Sequence, residues 1–207
     1  MELLIRLVAL AALVHLAVHI LNMLQRRKLA RQCEGRIAWI DVETTGLDTD
    51  VDEVLEVAVV MTDMQGNELD VPRFGTVLPF TEQGKERLAN NDYVLDMHAK
   101  SKLLTEVRLS AEFGEPRNFE ALEAYLHQHA NRAYMAGLSC HFDRAMLKGN
   151  GVDLSMLHHR MIDVTSIDLA LQAAGRPSIK PEGEAQHRAL PDSLAAIESY
   201  RRHLRGA

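Results

Sequence analysis

Residues 37–63 read IAWIDVETTGLDTDVDEVLEVAVVMTD, and this stretch decides the fold. Two runs of strand-forming residues flank a turn through Thr45-Gly46, so the segment reads as two consecutive strands. The first run carries two carboxylates, Asp41 and Glu43. Successive strand side chains alternate between faces, so residues two apart share one. Asp41 and Glu43 therefore point one way, and Ile40 and Val42 the other. Two like charges at that spacing repel unless a cation sits between them, and hard divalent cations prefer carboxylate oxygen. The alternative for an isolated Asp-x-Glu is a strand end where both acids reach solvent.

Outward from this pair, residues 36–42 and 53–62 form strands and Glu68 to Leu78 a third. The turn Gln65-Gly66-Asn67 joins the last two into an antiparallel meander. Helical periodicity follows over 82–90, 99–109, 117–130 and 142–149. Ala133 to Leu138 and Met161 to Val164 are short apolar runs that suit strands, with helices after them at 166–174 and 191–204. A meander followed by alternating α and β predicts an α/β mixed sheet covered by helices.

The 207-residue chain is 47% hydrophobic and 25% charged, enough for one sizeable domain. Two cysteines, Cys33 and Cys140, define no disulfide framework or zinc site and suit a reducing compartment. Of the 23 basic and 29 acidic residues, residues 1–33 hold five and one. The remaining 18 and 28 leave a formal charge of −10. An acidic domain argues against an extended, sequence-independent grip on long nucleic acid, which needs a basic surface. A short nucleic acid held by metals and a few placed side chains remains compatible with it.

Residues 1–33 read as a separate module before a domain of residues 34–207. From Leu3 to Leu24 only Arg6, His15, His19 and Asn22 are not apolar, and 22 residues suffice to cross a bilayer as a helix. The cluster Arg26, Arg27, Lys28 and Arg31 follows, which would keep the C-terminal side cytoplasmic. His15, His19, Asn22 and Arg26 share one helical stripe, so an interfacial or self-associating helix competes with a simple span. Membrane association through residues 3–24 is the expectation. A helix packed on the domain and an overlong reading frame are the alternatives.

Further acids and one histidine complete the constellation begun by Asp41 and Glu43. In GLSCHFDRAML, Asp143 lies near the start of a helix. In HRALPDSLAAIESY, His187 precedes Asp192 by five residues. Pro191 suits a first helical turn, so Asp192 belongs to that turn and His187 to the loop before it. A lone Asp in a first turn is usually dipole compensation. The whole set in this order is far more specific than any member.

The set resembles the DEDDh exonucleases, a branch of the ribonuclease H-like fold. Asp41-x-Glu43-Thr44-Thr45-Gly46-Leu47 matches the first motif, Asp143 the second, and His187-x-x-x-x-Asp192 the third. The sister branch carries Tyr four residues before the last Asp, where this chain has Arg188. Within the branch the sequence is similar to oligoribonuclease through Val54-Leu55-Glu56-Val57-Ala58, Tyr93, His98-x-x-Ser101-x-Leu103, Gly137-x-Ser139-x-x-x-Asp143-Arg144-x-x-Leu147 and Arg160-x-x-Asp163-Val164-Thr165. This likeness spans about residues 36–204. It departs at Leu138, at Pro191 and across residues 176–186.

The resemblance implies a 3′→5′ exonuclease on short single-stranded nucleic acid, with RNA favoured over DNA, and a homodimer. Asp41, Glu43, Asp143 and Asp192 would hold two Mg²⁺ or Mn²⁺ ions, an oxygen-rich site suited to such metals. His187 would be the general base, a role suited to the side chain that titrates near neutral pH. Thr44, Leu47, Tyr93, His98, Ser101, Ser139, Arg160 and Thr165 would meet the substrate. For Tyr93 the competing role is a partly buried surface residue, for Leu47 a cap on the sheet edge, and for Arg160 an ion pair. Competing functions are a proofreading or repair-type DNA exonuclease on the same scaffold and a non-catalytic, membrane-tethered nucleic-acid-binding protein. A phosphatase with Asp41 as nucleophile fits less well, because its motif wants a second Asp where Glu43 stands.

Overall fold

A computed structural model describes residues 1, 14–16, 18–20, 35–180 and 186–206. Five strands form one sheet: β1 (Arg36–Thr44), β2 (Val54–Asp63), β3 (Phe74–Val77), β4 (Tyr134–Gly137) and β5 (Met161–Asp163), in the order β3-β2-β1-β4-β5. β1 pairs antiparallel with β2 and parallel with β4, β2–β3 is antiparallel, and β4–β5 is parallel. The helices are α1 (Glu82–Ala89), α2 (Asp92–Lys100), α3 (Leu103–Glu112), α4 (Glu120–His129), α5 (Cys140–Gly149), α6 (Val164–Ala173) and α7 (Ala189–Leu204). A mixed sheet flanked by helices is therefore present.

Both faces of the sheet are covered, which is why β2 is apolar almost without interruption. Ala38, Ile40 and Val42 of β1 share a core with Leu122 and Leu126 of α4 and Met146 and Leu147 of α5. Ile37 and Trp39 face the opposite core, with Val164 of α6 and Ala196, Ile197 and Tyr200 of α7. Trp39 keeps its indole satisfied by donating Nε1–H to Thr62 Oγ1 at 2.8 Å. Strand alternation then sets Asp41 and Glu43 on the Trp39 face, toward the end of the sheet where α7 begins.

Two expectations are corrected. The third strand covers only Phe74–Val77, because Pro72 offers no N–H to a ladder; Glu68 makes just an isolated bridge to Thr62. The helix expected over 99–109 is two helices, α2 and α3, with Lys102 in the left-handed region at φ 64° between them. The start of α2 resembles a loop in sequence, yet Asn91 caps it by accepting the Val94 N–H. Of the apolar N-terminal helix, residues 14–16 and 18–20 are helical, and the remainder, with the boundary at residues 33 and 34, lies outside the described residues. No helix among the described residues is long and apolar enough to cross a membrane.

Candidate metal and catalytic site

The site forms at the carboxyl ends of β1 and β4, whose parallel ladder runs from Ile37 to Trp39 on β1. The carboxyl ends of parallel strands are where α/β sheets commonly place ligands. The Val42 N–H donates to Asp143 Oδ1 at 3.0 Å, fixing α5 against β1. Gly137 ends β4, and Ser139, at φ 62°, makes the sharp turn into α5 that delivers Asp143. The β1–β2 register shifts between Glu43 and Thr44, a bulge of the kind that re-aims side chains beside functional sites.

α7 supplies the other half. Asp192 sits in its first turn, its N–H donating to the Arg188 carbonyl at 3.1 Å. His187 precedes the helix at φ 52°. Glu43, His187 and Asp192 each bring a donor atom within 4.8 Å of the others. Asp41 and Asp143 lie outside this tight trio but close enough to repel it.

Burial raises the proton affinities of all four acids, and neighbouring carboxylates of the cluster add to it at Asp41 and Glu43. Burial, and then the charges of Asp143, Glu43, Asp192 and Glu56, raise Asp41 well above the ordinary carboxylate range. Burial followed by Asp192, Glu56 and Asp143 pushes Glu43 up to about 8, with Arg188 pulling the other way. Burial lifts Asp143 to about 7 against the Val42 hydrogen bond, and also raises Asp192 against the Gln186 N–H and His187. Four carboxylates that resist joint ionisation, with only oxygen donors beside one imidazole, fit hard divalent cations, whose charge would reverse these shifts.

The residues expected to meet substrate divide into groups. Tyr93 and Ser101 line a cavity of about 500 Å³ together with Asp96, Met97, Lys100, Gln186 and His187. Tyr93 is 74% exposed and Leu47 79%, so both present apolar surface to solvent. The turn bearing Leu47 is pinned: Thr45 Oγ1 donates to Asp52 Oδ1 at 2.9 Å, and Arg87 pairs with the same carboxylate at 3.0 Å. Gly46 is required there, since a Cβ would strike the Asp52 carboxylate. Ser139 Oγ donates to Thr165 Oγ1 at 3.3 Å, away from that cavity, and Arg160 is exposed.

His98 and Thr44, unlike Tyr93 and Leu47, lie inside the protein. His98 is fully buried, its Nε2 2.8 Å from the Thr44 carbonyl and its Nδ1 3.8 Å from Glu43 Oε2. Thr44 is also buried and donates Oγ1–H to the Gly46 carbonyl at 2.6 Å. Both support the strand end that carries Glu43 from beneath. Glu106 and the side chain of Arg188 form an ion-pair cluster with Glu56 that sequence reasoning did not identify. Arg188 stood out only as the residue that is not Tyr, and 132 positions separate it from Glu56.

Residues 38–200 match a family described as exonuclease, the RNase T family. The chain belongs to this exonuclease family. Among curated relatives it is 38% identical over 167 residues to the oligoribonuclease of Leifsonia xyli, covering 78% of this chain and 79% of the relative. It is 36% identical over 178 residues to the oligoribonuclease of Tropheryma whipplei, covering 82% and 93%. To a probable oligoribonuclease of Dictyostelium discoideum it is 35% identical over 173 residues, covering 80% and 88%.

Proposed function

We propose that the protein is a metal-dependent 3′→5′ exonuclease that hydrolyses phosphodiester bonds of short single-stranded RNA. The observation that carries this reading is the trio Glu43, His187 and Asp192, whose donor atoms lie within 4.8 Å of one another, with Asp41 and Asp143 near enough to act on Glu43 or on each other electrostatically. The oligoribonuclease names of its relatives support short RNA as the substrate.

In this reading Asp41, Glu43, Asp143 and Asp192 hold the metal. Two Mg²⁺ or Mn²⁺ ions would neutralise charge at the phosphoryl group and make water more acidic. His187 accepts the proton from the water that attacks phosphorus, while the leaving 3′ oxygen departs with its electron pair. Tyr93 stacks on a base, an interaction contributing about 1–3 kcal/mol in comparable sites. Leu47 supports the adjoining base, and Ser139, Thr165 and Arg160 contact phosphate. Ser101, in the cavity beside His187, borders the terminal nucleotide, and Thr44 and His98 act through the strand end they support.

The module of residues 1–33 tethers the domain to a membrane with the catalytic side cytoplasmic, supported by the apolar run Leu3–Leu24 and the basic cluster after it. Two copies form the working unit, a reading supported by the oligoribonuclease resemblance and checked by analytical ultracentrifugation. Incubating the full-length chain with RNA and DNA of matched sequence and graded length tests the activity. Faster metal-dependent turnover of the shortest RNAs is expected. Preference for longer DNA would instead favour a proofreading or repair-type exonuclease.

A further inference from the structure

Arg188 ties three elements together through one side chain. Its Nε donates to Glu56 Oε2 at 3.0 Å and its Nη2 to Glu56 Oε1 at 2.9 Å, a two-pronged pairing with β2. Nη1 and Nη2 also donate to Glu106 Oε1 at 2.9 Å and Oε2 at 2.8 Å, on α3. The next backbone group joins the same anchor, since the Ala189 N–H donates to Glu56 Oε2 at 2.9 Å. Glu56 is 8% exposed, so the anchor lies largely out of water, where a planar fork holds a carboxylate better than a point charge does.

The segment so held is the one that carries catalysis. Arg188 directly follows His187 and precedes the first turn of α7, which bears Asp192. Its anchor Glu56 lies directly opposite Glu43 in the β1–β2 register. His187 is at φ 52°, a conformation that persists in a non-glycine residue when its surroundings enforce it. Gln186 on the other side donates its N–H to Asp192 Oδ1 at 3.3 Å, so the histidine is gripped from both flanks.

We propose that Arg188 is a positioning residue, whose fork on Glu56 and Glu106 locks the His187–Asp192 segment to the sheet so that both side chains meet Glu43. The assignment rests on the exonuclease reading above and deepens it. Arg188 acts through its neighbours, and displacement of such a segment by about 1 Å can cost about 10²-fold in rate. Lysine cannot replace it, because an ammonium supplies charge without the fork.

The test uses full-length protein bearing Arg188→Lys, Arg188→Ala, or the double change Glu56→Gln with Arg188→Met. The double change removes a buried charge together with its partner, so it spares the fold the isolated charge that a single substitution leaves. kcat and KM on short RNA are measured at saturating Mn²⁺, with circular dichroism and thermal unfolding on the same samples. Expected is a fall in kcat of about 10²-fold in each variant that stays folded, with KM changed only a few-fold. Guanidinium, kept far below denaturing levels, should restore part of the kcat of Arg188→Ala. Wild-type kcat in folded Arg188→Lys or in the double variant would overturn the assignment. So would losses that merely track the folded fraction and ignore guanidinium. If Arg188→Ala does not fold, the double variant decides. A wild-type protein inactive with metal would instead overturn the exonuclease reading, and this assignment with it.

Discussion

Replacing Glu43 by Gln removes one charge from the cluster in which Asp41, Glu43, Asp143 and Asp192 repel one another, and keeps the shape of the side chain. Glu43 is buried and its proton affinity is pushed from an ordinary 4.5 to about 8, first by burial and then by Asp192, Glu56 and Asp143. The folded, metal-free protein therefore holds a proton there that the unfolded chain has released. Stability from this group is fully present below pH 4.5 and is lost as pH rises toward about 8. At about 1.4 kcal/mol per pH unit, that interval sets an upper bound of about 5 kcal/mol. Burial is the largest cause of the rise and Glu43 is not completely enclosed, so roughly 2 kcal/mol is the working size, or about 4–8 °C for a chain of this length. In EDTA, Glu43→Gln should unfold at a higher temperature than wild type at pH 9, and the gap should close toward pH 5. Mg²⁺ should raise the melting temperature of wild type more than that of the variant, which should be catalytically inert. Equal melting temperatures at pH 9 in EDTA would refute the claim that Glu43 stands in a field of repelling charge.

Asp192→Ala should abolish hydrolysis in a folded protein, checked by turnover beside circular dichroism, since a metal ligand contributes several kcal/mol to the transition state. His187→Ala should slow turnover by about 10²–10⁴ while Mn²⁺ binding, followed by calorimetry, persists. Collapse of binding together with activity would make His187 a ligand, which its place beside Glu43 and Asp192 permits geometrically. Tyr93→Ala should raise KM by roughly the equivalent of 1–3 kcal/mol, read from initial rates on short RNA, with kcat less affected. Deleting residues 1–33 removes no proposed ligand, so turnover should be retained. Full-length protein should stay with membranes through a high-salt wash, because salt screens the basic cluster but not apolar burial.

The centre of this fold was legible because its signals are local and redundant. Strand alternation alone put Asp41 and Glu43 on one face, and Pro191 marked the first turn that carries Asp192. What stayed hidden depends on contacts distant in sequence. α2 was missed because Asn90-Asn91-Asp92 spells a turn unless Asn91 is known to cap a helix. His98 matched a motif for nucleotide contact, but only packing reveals that it is buried beneath Glu43 and Thr44. Arg188 gave no sign of its role, since Glu56 and Glu106 meet it only once β2, α3 and α7 have assembled.

The account depends most on the direction and metal requirement of cleavage. A time course on a short ribo-oligonucleotide labelled at its 5′ end, with a free or a blocked 3′ end, with Mg²⁺ or EDTA, addresses both together. The free-ended RNA with Mg²⁺ should shorten one nucleotide at a time into a descending ladder, and the blocked or EDTA-treated samples should stay intact. Immediate release of labelled mononucleotide, internal cuts in the blocked RNA, or equal cleavage in EDTA would contradict a 3′→5′ exonuclease built on Asp41, Glu43, Asp143 and Asp192.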